Sequence, residues 1–224
     1  MNKKKRSKQQ PNETHQERNK LTPRTKNQAE YIRTIVENDI TFCHGPPGTG
    51  KDWCSIGIAC EYLLSNKVER IIITRPTIEV GNSLAALPGD AFSKVQPFMV
   101  PMLDVLEFFL GKTELEHYLK YGIVKVIPIQ HIRGLTFNNS FIIVDECQDI
   151  TKIQILAILT RIGQNSKMVL LGDIDQSDLP KNLQGAFIDC INKLNNIDKI
   201  GISKLEVEDI QRSPLIKKIV EKLK

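Results

Sequence analysis

Ile40-Thr41-Phe42-Cys43, followed after His44 by Gly45-Pro46-Pro47-Gly48-Thr49-Gly50-Lys51, joins a short apolar run to a glycine-rich loop ending in lysine. The run reads as a β-strand. The loop matches G-x-x-x-x-G-K, and a helix is expected from Lys51 to about Ser65. Glycines let a backbone curl until successive N–H groups point inward at phosphate oxygens. The helix N-terminus behind them adds partial positive charge, and Lys51 would reach the β- and γ-phosphates. The pattern is specific: at average glycine and lysine usage, a chain of this length gives roughly 0.07 matches by chance. A plain Gly/Pro turn between strand and helix is the competing reading. One position departs from the pattern. The residue after the lysine should be Ser or Thr, whose hydroxyl serves Mg²⁺; here it is Asp52. A carboxylate is a good Mg²⁺ ligand in kind, but it adds negative charge beside polyphosphate. Either Asp52 binds the metal and turnover is retained, or metal affinity and turnover fall and the loop only binds nucleotide.

On the N-terminal side, Ala29, Ile32, Ile35 and Val36 recur at helical spacing and predict a helix over 26–38. On the C-terminal side, Ile71-Ile72-Ile73 within 70–74 is an unbroken apolar run, typical of a strand covered on both faces. Pro76, Gly81, Pro88 and Gly89 mark a long irregular connection. Helical spacing returns between Phe92 and Leu119, broken near Gly111. Further strands are predicted at 124–127, 141–144, 167–171 and 202–205. Helices are predicted over 151–162 and 182–194, and Pro214 opens a terminal helix to Leu223. Strands alternating with helices give an α/β fold, a mostly parallel sheet with helices on both faces. Ligands collect at the carboxyl ends of strands in such sheets.

Three of those ends carry polar signatures. The first is the loop after Cys43. The second is Phe141-Ile142-Ile143-Val144-Asp145-Glu146, four apolar residues followed by two carboxylates, the shape of a Walker B strand. Asp145 would hold Mg²⁺, and Glu146 would polarise the water that attacks the γ-phosphate. The strand-like segment at 124–127 falls between Lys51 and this pair, an order that suits the additional-strand, catalytic-glutamate class of P-loop ATPases. The third end is Leu170-Leu171-Gly172-Asp173-Ile174-Asp175-Gln176, where a polar side chain would sense the γ-phosphate. Gln176 is the first choice and Asp173 the second.

Composition narrows the class further. The chain has 224 residues, 41% hydrophobic and 25% charged, which suits one globular domain and excludes a wholly disordered or fibrous chain. The most apolar stretch, Pro97 to Leu110, is interrupted by Asp104 and Glu107 and is too short to span a membrane. Residues 1–26 hold nine Lys/Arg against two Glu, leaving 22 basic and 24 acidic residues in the remainder. Residues 1–20 therefore read as a basic, disordered leader, and 21–224 as the domain proper. Such a leader suits nucleic acid or simply solvent. No apolar segment follows the lysines, so it is no secretory signal. The five cysteines form no C-x-x-C and read as reduced thiols of a cytoplasmic protein.

Seven segments then occur in a telling order. They are Gly45 to Lys51, Thr74-Arg75-Pro76, Leu87-Pro88-Gly89-Asp90, and Ile132-Arg133-Gly134-Leu135-Thr136-Phe137. After them come Val144-Asp145-Glu146-Cys147-Gln148-Asp149, Gly172-Asp173-Ile174-Asp175-Gln176-Ser177-Asp178-Leu179-Pro180, and Asp209-Ile210-Gln211-Arg212-Ser213-Pro214-Leu215-Ile216. Together they resemble the PhoH family of phosphate-starvation-associated ATPases, over about residues 21–223. The resemblance implies a P-loop NTPase with a RecA-like core, similar to the motor half of superfamily 1 helicases. It implies ATP and Mg²⁺ as cofactors, ATP hydrolysis, assembly as a homo-oligomeric (hexameric) ring, and a link to RNA or single-stranded nucleic acid. Gly45, Pro46, Pro47, Gly48, Thr49, Gly50, Lys51 and Asp52 would then hold the phosphates, with Asp52 and Asp145 on the metal. Gln28 falls where related helicase-like ATPases place a glutamine against the adenine edge. Arg212, just before Pro214, would serve as an arginine finger toward a neighbour's γ-phosphate. Arg75 and Arg133 would touch phosphate, nucleic acid, a neighbouring subunit or only a surface carboxylate. Besides Asp52, one more position departs from the family pattern: Asp149 stands where an Asn is usual.

Three function classes follow from these residues. The leading one is an ATPase with Lys51, Asp145, Glu146, Gln176 and Arg212 as its catalytic set. The second is a nucleotide-gated nucleic-acid-binding module with little hydrolysis, suggested by the leader and Asp52. The third, a small-molecule kinase, is disfavoured because no arginine-rich lid is visible.

Overall fold

Six apolar runs form one parallel sheet: β1 (Ile40–His44), β2 (Arg70–Thr74), β3 (Val124–Val126), β4 (Ser140–Val144), β5 (Lys167–Gly172) and β6 (Ile200–Lys204). The structure, a computed structural model, describes residues 19–76 and 91–212, and beyond them positions 215, 218, 219 and 222, which are helical. Nearly all of the basic leader, the 77–90 connection and most of the terminal helix lie outside the described residues.

The strand order is β3-β2-β4-β5-β1-β6. Successive side chains of a strand point to opposite faces, so each run feeds two cores. Ile71, Ile73, Phe141, Ile143, Val169 and Leu171 pack under α1 (Lys26–Glu37), α2 (Lys51–Leu64), α3 (Ala91–Leu110) and α4 (Lys112–Lys120). Phe42, Ile72, Ile142, Val144, Met168 and Leu170 face α5 (Lys152–Leu159) and α6 (Ala186–Leu194). Each such fully buried Ile or Phe contributes about 1.5–3 kcal/mol relative to exposure. Covered on both faces, the central strands read as continuous hydrophobic runs rather than alternating ones.

Local signals set the helix ends. Thr25 caps α1 by accepting the Gln28 N–H, and Thr151 and Gln154 form a capping box at α5. Gly111 (φ +86°) separates α3 from α4 as expected: its N–H closes α3 on Glu107 O, and its carbonyl opens α4 to Leu115 N–H.

Three expectations shift. The helix expected at 182–194 begins only at Ala186, because 180–183 form a turn and Gly185 (φ +86°) is the N-cap. The helix expected to 162 ends at Leu159, where Arg161 N–H turns back to Ile158 O. The segment at 124–126 lies at the far edge of the sheet, not between the loop strand and the acidic strand. The strand inserted there is β5, between β1 and β4. Among the described residues no helix is long and apolar enough to cross a membrane. All five cysteines are free thiols.

Candidate functional site

The loop from Gly45 to Gly50 leaves β1 and delivers the chain to α2. Gly45 N–H donates to Gly172 O at 3.2 Å, tying the loop's start to the end of β5. Gly45 also lies against the end of β6, where any Cβ would come within 2.2 Å of Leu205 O. Gly48 has φ +80°, a left-handed backbone open to glycine at little cost. Gly50 caps α2 without a side chain, so the first-turn N–H groups of a 14-residue helix meet no side-chain acceptor from the cap residue. Thr49 is fully buried, its hydroxyl donating to Pro46 O at 2.8 Å. Lys51 Nζ donates to Gly45 O (2.6 Å) and Pro46 O (3.0 Å), which puts the ammonium inside the loop's curl.

Two residues distant in sequence brace this loop. Gln28 is buried behind it: Nε2 donates to Thr49 O at 2.9 Å, and Oε1 accepts Arg24 N–H at 2.8 Å. Gln211 N–H donates to Gly48 O at 2.9 Å. Arg212 runs alongside, with Nε 3.0 Å from the position a Cβ on Gly48 would take. Arg212 therefore lies on the loop of its own chain. Asp209 anchors this strap, accepting from Asn27 Nδ2 and from Glu206 N–H, both at 2.8 Å.

The acidic pair follows from sheet register. Thr74 and Val144 are paired residues of β2 and β4, so Arg75 and Asp145 leave the sheet side by side. Asp145 N–H extends the ladder to Thr74 O at 2.9 Å. Asp145 is buried, its Oδ1 accepting Glu146 N–H at 2.8 Å. Glu146 has φ +52°, uncommon for a residue with a side chain. Its Oε1 accepts Arg75 Nη2 at 2.7 Å and its Oε2 accepts Gln148 Nε2 at 2.6 Å. Arg75 Nη1 stands 3.5 Å from Asp145 Oδ2.

Gln148 joins the second strand end to the third, for its Oε1 accepts Asp173 N–H at 3.0 Å. Asp173 is buried, with Oδ1 accepting Asp175 N–H and Oδ2 unpartnered among the described residues. Gln176 sits on the exposed turn beyond it, its N–H bonded to Asp173 O. Asp149 fastens that turn: its Oδ1 accepts Asp178 N–H (2.7 Å) and Ser177 Oγ (3.2 Å). An Asn carbonyl would accept the same two bonds, so the departure at Asp149 leaves the turn intact. Arg133 is exposed and lines a surface groove with Ile153 and Leu156 of α5.

Charge accumulates where the three ends meet. Burial raises the Asp145 carboxyl to about 8, with Asp52 and Glu146 pushing the same way and Arg75 opposing. Burial also raises Asp52, with Lys51 opposing. Asp52 is half-buried as a residue, but its Oδ1 is sealed and unpartnered among the described residues. An unfolded chain releases these protons near pH 4. The fold retains the Asp145 proton to about pH 8, so the stability it contributes is whole below about pH 4 and is lost as pH rises toward 8. The Tm of the nucleotide-free protein is expected to fall across that window. Asp145→Asn is expected to flatten the fall and to raise Tm at the alkaline end, as thermal melts across the window would read.

Among the described residues no group of three or more His, Cys, Asp or Glu forms a ready-made metal site. That suits Mg²⁺, which binds through one or two carboxylates together with substrate phosphates. The sealed oxygen of Asp52 and the buried Asp145 are hard donors of that kind beside a phosphate-shaped loop. The residues present fit the ion. Asp52→Thr removes the sealed carboxylate and is expected to stabilise the nucleotide-free protein by about 1–3 kcal/mol. Urea denaturation of the two proteins checks it.

The inserted strand, the glycine loop and the acidic pair define the class: this is a P-loop NTPase-like core with a RecA-like parallel sheet. A family profile described as PhoH-like protein matches residues 20–224. A PhoH-like protein of Synechocystis sp. is 39% identical over 198 residues, 88% of this chain and 60% of that protein. One from Bacillus subtilis is 38% identical over 198 residues, again 88% of this chain and 62% of the other. The chain belongs to the PhoH family, and it spans about 60% of the length of these relatives. The large terminase from a thermophilic bacteriophage shares the fold, with a TM-score of 0.53 at 11% identity over 91% of this chain and 51% of that one.

Of the residues singled out from sequence, Gln28, Lys51, Asp52 and Arg212 gather at the loop, and Asp145 and Glu146 gather under Arg75. Gln148 was not singled out, although it lies in the same short segment as the acidic pair, where Glu146 caps the 3-10 turn of Cys147–Asp149.

Proposed function

We propose that the chain binds ATP with Mg²⁺ on residues 45–52 and hydrolyses it, and that single-stranded nucleic acid, RNA first, modulates the hydrolysis. The observation that supports this best is the link Glu146–Gln148–Asp173, which ties the acidic strand end to the strand beside the loop. A carboxylate held this firmly next to a phosphate loop suits an attacking water more than a mobile acceptor.

In this reading the loop and the α2 N-terminus bind the triphosphate, and Lys51 moves from the loop carbonyls to the β- and γ-phosphates. Mg²⁺, held by Asp145 and Asp52, supplies charge neutralisation at the phosphates. Glu146 takes a proton from water. Gln176 keeps the sensing role, since a neutral amide suits an anionic phosphate better than a second carboxylate from Asp173. Gln28 fixes Thr49 from behind the loop, and its amide would have to turn outward to meet the adenine edge. Arg212, stacked on Gly48, acts on the phosphates of its own chain rather than a neighbour's. The basic leader before residue 21 contributes to nucleic-acid affinity, and the free thiols accord with a cytoplasmic location. Ring assembly would cover the exposed Ile153 and Leu156 of α5.

The test is phosphate release with and without RNA, on wild type and Asp52→Thr. Release that RNA changes, and that Asp52→Thr does not raise, supports the reading with Asp52 on the metal. Deleting residues 1–20 is expected to weaken RNA affinity, more so at low salt, in a binding titration at two salt concentrations. No release from either protein, with nucleotide bound, leaves the nucleotide-gated module favoured by the crowding of Asp52, Asp145 and Glu146.

A further inference from the structure

We propose that Arg75 is a latch on Glu146, shut by its bonds to the acidic pair and opened by the backbone phosphate of a single-stranded nucleic acid; its effect on rate rests on the hydrolysis reading above. Arg75 follows β2, and β2 flanks β4 on the side away from β1 and the phosphate loop. It therefore reaches the carboxylates from the outer side of the site. Nη2 donates to Glu146 Oε1 at 2.7 Å, and Nη1 stands 3.5 Å from Asp145 Oδ2. Gln148 occupies the other Glu146 oxygen at 2.6 Å. Both oxygens of the group that must accept a proton thus face donors, which leaves neither open to an attacking water. Glu146 is held in this pose with φ +52°, a backbone conformation that a side chain disfavours.

Arg75 is the donor that approaches the pair from the outer side and is open to solvent. Its side chain is 26% exposed, with Asp145 at 12% and Glu146 at 35%. Gln148 is pinned instead, since its Oε1 is committed to Asp173 N–H. A guanidinium forks as well onto phosphate as onto carboxylate, so a backbone phosphate on the β2 side competes for the same donors. When it succeeds, Glu146 Oε1 is freed to accept from water. Capture by the γ-phosphate of ATP would make Arg75 a charge clamp instead and reverse the sign of its removal.

The experiment is Arg75→Met, with kcat and KM for ATP measured with and without poly(U) RNA. We expect kcat without RNA to rise about three- to tenfold, KM for ATP to stay unchanged, and poly(U) to add nothing further. Arg75→Lys, which keeps the charge but not the fork, should fall between the variant and wild type. A fall of kcat in both conditions overturns the latch. A double-mutant cycle of Arg75→Met with Glu146→Ala, read as thermal stability, stands apart from hydrolysis. Coupling that is present without RNA and vanishes with poly(U) supports the latch even where no protein releases phosphate. Coupling that is absent, or unchanged by poly(U), overturns it.

Discussion

Glu146→Gln is expected to bind ATP as wild type does and to release phosphate about 10²–10⁴ times more slowly. The substitution preserves volume and leaves the loop at residues 45–51 untouched, so affinity has no reason to change. What is lost is the capacity to take a proton. The surroundings sharpen the expectation. A glutamine can still accept from Arg75 Nη2 through its carbonyl, but its amide nitrogen would then meet Gln148 Nε2, donor against donor. Gln148 cannot simply flip, because its carbonyl holds Asp173 N–H. A small displacement of residue 146 therefore accompanies the loss of basicity. Equilibrium binding of a fluorescent ATP analogue, run beside the phosphate-release assay, separates the two effects. Release at the wild-type rate would remove Glu146 from its role.

Lys51→Ala should weaken nucleotide affinity by about a hundredfold, near 2.7 kcal/mol. The ammonium sits 2.6 Å from Gly45 O and 3.0 Å from Pro46 O, already at the loop's centre. A triphosphate entering the loop exchanges those two neutral acceptors for charged ones, and charge-assisted bonds are roughly twice as strong. Alanine removes that gain and also the internal tie between the two carbonyls. A far-ultraviolet melt run with the binding titration distinguishes a missing charge from a collapsed loop. Retained affinity with an intact fold would mean that phosphate does not bind there.

Sequence and structure agree best where one short-range signal decides the outcome. The strand–loop–helix unit at 40–64 was legible because apolar run, glycines and helix pattern abut. The break at Gly111 was legible because a positive φ selects glycine. The place of 124–126 in the sheet was not, since pairing with β2 is a long-range contact that no local residue encodes. The start of α6 shifted because Pro180 and Gly185 set a turn around 181–184 ahead of the helix. At the site, residue types were legible and partners were not. Arg75 lies 71 positions before the glutamate it clamps, and Gln28 lies 21 before the carbonyl it braces. Arg212 lies on Gly48 of its own chain, because the strap after β6 is anchored by Asp209 to Asn27. The parallel register of β2 and β4 brings Arg75 to Glu146, while α1 and the strap after β6 bring Gln28 and Arg212 to the loop.

The central claim is that the curl after β1 takes a triphosphate facing the carboxylates at the end of β4. A crystal structure with a non-hydrolysable ATP analogue and Mg²⁺ tests it most directly. We predict phosphate density within the amides of residues 45–51, Lys51 turned from the Gly45 and Pro46 carbonyls onto it, and Asp145 beside the metal. An empty loop under saturating analogue, or Asp145 and Glu146 turned away from the bound phosphates, would contradict the account.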